Sequence, residues 1–159
     1  MKINCRSLLF FSLLFSTACM ASDVEKDISA QQFTNHLDIP LGGNSYQTKG
    51  TLQEEISEDG LLSWQNSETE FSVFFRSAQA AESLLELDFL PQAATSQIAV
   101  ELNGKIHELN LKPGDSGLTQ VGKFSLQAGY NVVKLRGLQK SGGDFAKIKS
   151  LRVRFEGNL

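Results

Sequence analysis

In the run from Ile148 to Phe155 the last six residues alternate: Leu151, Val153 and Phe155 fall on one side, Ser150, Arg152 and Arg154 on the other. A period of two residues describes a strand with one face in a core and the other in water, and a helix cannot satisfy it. The pattern recurs upstream. Phe71, Val73 and Phe75 oppose Ser72, Phe74 and Arg76; Leu85, Leu87 and Phe89 oppose Leu84, Glu86 and Asp88; Ile98, Val100 and Leu102 form another core side. Asn103-Gly104 follows at once, the strongest two-residue hairpin signal, because both central positions need positive φ. Strands are expected at residues 36–41, 51–57, 70–76, 83–90, 98–102, 105–111, 118–126, 130–136 and 148–155, with the only tryptophan in the stretch 61–67 between the second and third. Residues 79–85 read as the lead into a strand or as a short helical turn. Eight to ten short strands with turn clusters between them, no helical stripe and no internal repeat, indicate an all-β chain: an antiparallel β-sandwich in one domain.

The first residues stand outside that pattern. Lys2 and Arg6 precede an apolar run at 8–15, and small residues follow at 16–22, which reads as a secretory signal peptide over 1–21, too short to span a bilayer. Cutting after Ala21 gives a soluble exported chain, periplasmic or extracellular. The rival is lipidation of Cys19, since Ser16-Thr17-Ala18-Cys19 resembles a bacterial lipobox, and it would anchor the chain to the outer membrane. Cys5 and Cys19 are the only cysteines, so a chain cut after Ala21 has neither a disulfide nor a thiolate metal site and must stand on its core alone. Residues 22–35 read as a polar arm or tether, and 36–159 as the sandwich domain.

Charge is unevenly spread. Residues 23–101 hold 14 carboxylates and three cations, whereas 105–159 hold ten cations and four carboxylates. Lys147, Lys149, Arg152 and Arg154 straddle a strand without interleaved aromatics. They read as a solvated face opposite an acidic neighbour, not as a nucleic-acid surface.

Reactive constellations are thin. Gly114-Asp115-Ser116-Gly117 resembles the nucleophile loop of trypsin-like enzymes, but a Pro-Gly-Asp-Ser-Gly turn explains it, and His107, on the strand before, is the one available base. His36 and His107 lie far apart in sequence, with no metal-ligand spacing. The glycine pairs at 42–43 and 142–143 match no phosphate-cradling loop. The chain therefore reads as a non-enzyme. What remains is a set of aromatic and polar residues on expected loops: Asn44 and Tyr46, Trp64 and Asn66, Asp144 and Phe145. Sugar rings stack their C–H faces on aromatics and need amide or carboxylate partners for their hydroxyls, so this composition suits a carbohydrate site. The competing reading makes Trp64 a plug at one end of the sandwich and Phe145 its last core residue. A protein-docking module of the cell envelope is the alternative function.

Residues 64–76, 99–104 (AVELNG) and 126–133 (LQAGYNVV) together resemble the galactose-binding-like jelly-roll modules of bacterial carbohydrate enzymes. Residues 39–46 (IPLGGNSY), Trp64 and 140–145 (KSGGDF) further resemble a small secreted bacterial domain of unknown function found in front of larger hydrolase-like domains. The resemblance spans about residues 37–155. It implies a jelly roll that binds glycan or cell-wall saccharide at the loop end or on a sheet face. It also implies a structural calcium held by an acid near the end of the first strand and another at the start of the last. Asp38 fits the first position, but Lys149 stands at the second, and an ammonium cannot ligate Ca²⁺. The expectation is accordingly no cofactor, with Asp38 and Lys149 approaching each other.

Overall fold

A computed structural model describes residues 33–51 and 53–156. The expected signal peptide, Cys19 and most of the polar arm lie outside the described residues. The described residues form eleven strands: β1 (Asn35–Pro40), β2 (Ser45–Lys49), β3 (Glu55–Ser57), β4 (Gly60–Ser63), β5 (Glu70–Ser77), β6 (Ala81–Phe89), β7 (Ser96–Leu102), β8 (Lys105–Leu111), β9 (Gly117–Leu126), β10 (Gly129–Lys140) and β11 (Ile148–Phe155). One sheet runs β3-β4-β11-β6-β9, with β1 also paired to β11; the other runs β2-β5-β10-β7-β8. All pairings are antiparallel. Only the β3–β4 and β7–β8 connections stay within a sheet, so the chain crosses between layers at nearly every turn. This is the antiparallel sandwich that the alternation called for, in the jelly-roll form that the resemblance implied. The 79–85 stretch leads straight into β6 and makes no helical turn.

The two inner faces supply the core. Phe71, Val73 and Phe75 of β5, Ile98, Val100 and Leu102 of β7, and Val133 and Leu135 of β10 meet Leu85, Leu87 and Phe89 of β6 and Leu151 and Val153 of β11. Asn103 (φ 51) and Gly104 (φ 85) make the β7–β8 turn as their sequence demands. Buried Asn131 ties this hairpin to the β9–β10 turn. Its Oδ1 accepts from Asn103 Nδ2 (2.8 Å) and from the Gln127 N–H (2.9 Å), and its Nδ2 donates to the Gln127 carbonyl (2.9 Å). Both ends of the carboxamide are satisfied, which is the condition for burying one.

Phe33, inside the stretch expected to be a polar arm, is buried, and the Lys123 ammonium lies 5.9 Å from its ring centroid. Two of the three cations of β11 meet acids across the sheet: Arg152 Nε lies 2.6 Å from Asp38 of β1, and Arg154 Nε 2.7 Å from Glu86 of β6. Part of the uneven charge of the sequence is thus paired strand against strand.

Candidate functional site

Four connections gather at one end of the sandwich, and backbone hydrogen bonds bind them. Ser141 N–H donates to Thr95 O (2.9 Å), Gln92 N–H to Asp115 O (3.0 Å), Leu90 N–H to Lys147 O (3.0 Å) and Phe145 N–H to Trp64 O (2.8 Å). Trp64, Asn66, Asp144 and Phe145 all come to this end. The two rings are closed off and the polar pair is tied into the loops. Trp64 is fully enclosed, edge-on to Phe71 at 5.3 Å between ring centroids and tilted against Phe145 at 5.5 Å. Phe145 is buried too, its ring lying over Gly137, where an added Cβ would come within 2.6 Å of it. These two aromatics, read as candidate stacking platforms, are core residues. The loop after β10 folds down over Trp64 and closes the end.

The polar pair is occupied as well. The Asp144 carboxylate accepts from the Trp64 N–H (3.3 Å) and the Ser63 hydroxyl (3.4 Å), with Lys147 Nζ at 3.9 Å. Asn66 Oδ1 accepts from the Glu68 N–H (2.9 Å), and the Asn66 N–H donates to Glu54 (2.7 Å). Both side chains fasten loops. Asp115 likewise closes its own turn by accepting from the Lys112 N–H (2.8 Å), while His107 packs on Gly122 and Phe124 of β9. The Gly-Asp-Ser-Gly stretch is a turn.

Asn44 and Tyr46 are not with the other four. They sit where the chain crosses from β1 to β2, and Tyr46 opens onto the outer face of the β2-β5-β10-β7-β8 sheet with 57% of its surface exposed. Phe74 of β5, 45% exposed, meets it edge-on at 6.1 Å. Asn44 is exposed and donates from Nδ2 to the Pro40 carbonyl (2.9 Å), which turns its amide oxygen elsewhere. Tyr130 of β10, opposite Arg76, adds another exposed ring to this face. Below the rings runs a belt of paired charges: Lys49–Glu70 (3.1 Å), Arg136–Glu101 (3.1 Å) and Lys134–Glu101 (3.6 Å). Beyond the belt, toward the loop end, a groove of about 250 Å³ is lined by Thr95, Gln97, Asn110, Gln139, Lys140 and Ser141. The sequence reading missed this groove. Gln97 and Asn110 were legible as outward positions of alternating strands, but polar outward residues are the rule on such strands and carried no signal.

The acid position near the end of β1 does not fit a calcium ion. Both Asp38 oxygens are engaged by Arg152, at 2.6 and 2.9 Å, and this guanidinium holds the carboxyl below its ordinary pKa. Asp38 therefore pairs with Arg152 and not with Lys149. The two are direct cross-strand partners in the β1–β11 register, whereas Lys149 lies beyond the end of β1. Among the described residues no three His, Cys, Asp or Glu side chains converge as metal ligands.

A family model described as "Domain of unknown function (DUF5077)" matches residues 39–157. The chain belongs to that family. No curated protein sequence matches it. The DUF5077 fold is similar to that of the Podospora anserina GH26-CBM35 β-(1,4)-mannanase, at 14% identity and a TM-score of 0.57, covering 78% of this chain and 28% of that one. It is also similar to the CBM35 from Cellvibrio japonicus Abf62 (14% identity, TM-score 0.54, 79% and 95% covered). A third neighbour is the CBM36-1 domain of a multidomain xylanase from the hindgut metagenome of Trinervitermes trinervoides (12% identity, TM-score 0.56, 75% and 96% covered). At these identities the likeness is one of fold. The DUF5077 chain spans little more than a quarter of the mannanase.

Proposed function

We propose that this DUF5077 domain is an exported, non-catalytic module that binds carbohydrate on the outer face of the β2-β5-β10-β7-β8 sheet. The observation that carries the reading is the Tyr46–Phe74 pair. An exposed ring buttressed edge-on by a second keeps its orientation without losing conformational entropy on binding, and presents the flat apolar surface on which a pyranose stacks. Asn44 stands at the rim to take a hydroxyl. The likeness of fold to modules named as carbohydrate-binding supports the same reading. Trp64, Phe145, Asp144 and Asn66 contribute by fixing the loop end and touch no ligand.

The test is retention on a panel of insoluble and soluble polysaccharides. Tyr46→Ala combined with Phe74→Ala is expected to weaken binding at least tenfold, about 1.4 kcal/mol, with the melting temperature held within a few degrees. Wild-type protein that binds no polysaccharide, yet captures an envelope protein in a salt-sensitive manner, would establish the docking alternative instead. Export follows from Lys2, Arg6 and the apolar run at 8–15. Mass spectrometry of the mature N-terminus distinguishes cleavage after Ala21 from acylation of Cys19.

A further inference from the structure

Resting on that carbohydrate reading, we propose that the groove at the loop ends of β7, β8 and β10 is a second saccharide subsite, one that takes the hydroxyls of an uncharged sugar chain. Its floor is a cross-strand row of three carboxamides. Gln139 of β10 faces Gln97 of β7, which faces Asn110 of β8. With neighbouring strands about 4.8 Å apart, the row extends roughly 10 Å.

A β-bulge makes the row. Gly137 pairs with Ile98, so an uninterrupted ladder would set Leu138 opposite Gln97; the register instead shifts between Gly137 and Gln139 and brings the glutamine there. Bulges commonly re-aim a side chain in this way next to binding sites. Here the result is a third amide where alternation alone would have placed an apolar residue.

The state of these groups defines the ligand. Gln97 Nε2 donates to Glu108 (3.0 Å), which leaves its carbonyl oxygen to accept. The side-chain amides of Asn110 and Gln139 have no partner among the described residues. Asn110 and Gln139 each offer two donors and an acceptor oxygen, and Gln97 an acceptor oxygen, the complement of a hydroxyl that gives and takes. The charged groups at the groove are already engaged. Lys140 donates to the carbonyls of Gln65 (2.6 Å) and Gly143 and lies over the Phe145 ring at 4.9 Å, and Glu108 is held by Gln97. An anionic group would meet one cation among the described lining residues, Lys140, whose ammonium already donates to two carbonyls. A peptide strand would need recesses for alternate side chains, which a flat amide row does not provide. Gln139 and Tyr46 lie on strands separated by β5 alone, roughly 10 Å apart laterally. One oligosaccharide laid diagonally would touch both, and the second contact raises affinity without a second molecule.

The experiment is calorimetric titration of the mature protein with cello-, manno- and xylo-oligosaccharides of two and six units, and with hexagalacturonate. The variants are Asn110→Ala/Gln139→Ala and Tyr46→Ala. The amide double variant is expected to bind its preferred neutral hexasaccharide about tenfold more weakly, while disaccharide affinity stays within twofold and the melting temperature is unchanged. Unchanged hexasaccharide affinity in the double variant, with binding lost in Tyr46→Ala, overturns the groove and leaves the carbohydrate reading standing. Preference of the wild type for hexagalacturonate also overturns it. A wild type that binds none of the sugars overturns both.

Discussion

Trp64 is the residue on which the sequence supported two opposite roles, and truncating it separates them. Replacing a fully buried Trp by Ala costs about 3–5 kcal/mol, through lost transfer energy and the cavity left behind. Two ring contacts, with Phe71 at 5.3 Å and Phe145 at 5.5 Å, push the value upward, since such pairs add about 0.5–1.5 kcal/mol each beyond area. One term acts the other way: indole Nε1 is buried without a partner among the described residues, and removing an unmet donor recovers part of the loss. The balance is about 4 kcal/mol for Trp64→Ala. Trp64→Phe keeps a ring between the same neighbours and deletes the unmet N–H, so it is expected to lose less than half as much. The assay is urea unfolding followed by far-UV circular dichroism. With an m-value of about 2 kcal/mol/M, the alanine variant shifts the midpoint down by about 2 M and the phenylalanine variant by under 1 M. A Trp64→Ala protein that unfolds within about 0.5 M of wild type yet no longer binds polysaccharide would refute the reasoning, because only an exposed, ligand-facing indole behaves so.

Two further perturbations test the packing. Gly137→Val forces Phe145 off its seat, because a Cβ at 137 already comes within 2.6 Å of the ring; a loss of about 1–3 kcal/mol is expected by the same urea assay, together with weaker proteolytic protection of residues 141–147. His107 packs on Gly122 and Phe124, with Nε2 buried and unpaired and Lys105 beside it, and burial first and then the Lys105 charge hold its pKa below 6.5. The unfolded chain then takes the proton first, so this contribution is complete above pH 6.5 and declines as pH falls below it. The unfolding midpoint of wild type should drop between pH 8 and pH 5.5 by more than that of His107→Leu, and parallel curves would exclude the effect.

The layers were legible because burying one face of a strand dictates every second residue. β5, β7, β8 and β11 fall where the alternation puts them. β2 did not show, since Ser-Tyr-Gln-Thr-Lys lies at a sheet edge with only Ser45 buried, and an edge strand facing water on one side needs no apolar partner set. Tyr46 consequently read as a loop residue when it is a strand residue aimed outward. Alternation also fails where the ladder does: counting along β10 gives Leu138 the place opposite Gln97, and only the bulge reveals that Gln139 holds it.

The loop end misled for a physical reason that also indicates where a ligand belongs. Closing a sandwich whose chain crosses layers at almost every turn brings four connections together, and their polar groups must be satisfied on the spot. Asp144 holds the Trp64 N–H, Glu54 holds the Gln65 and Asn66 N–H groups, and Lys140 holds two loop carbonyls. The aromatics between them become the plug. Aromatic rings beside Asn and Asp are thus the composition of a sugar site and equally that of a well-tied loop bundle, and sequence cannot tell the two apart. Strand side chains are under no such demand, because their backbones are already paired within the sheet. Asn110 and Gln139 keep their amides uncommitted, and Tyr46 keeps its ring in water. In a sandwich whose loop end is consumed by its own closure, the groups left to meet another molecule stand on the sheet face.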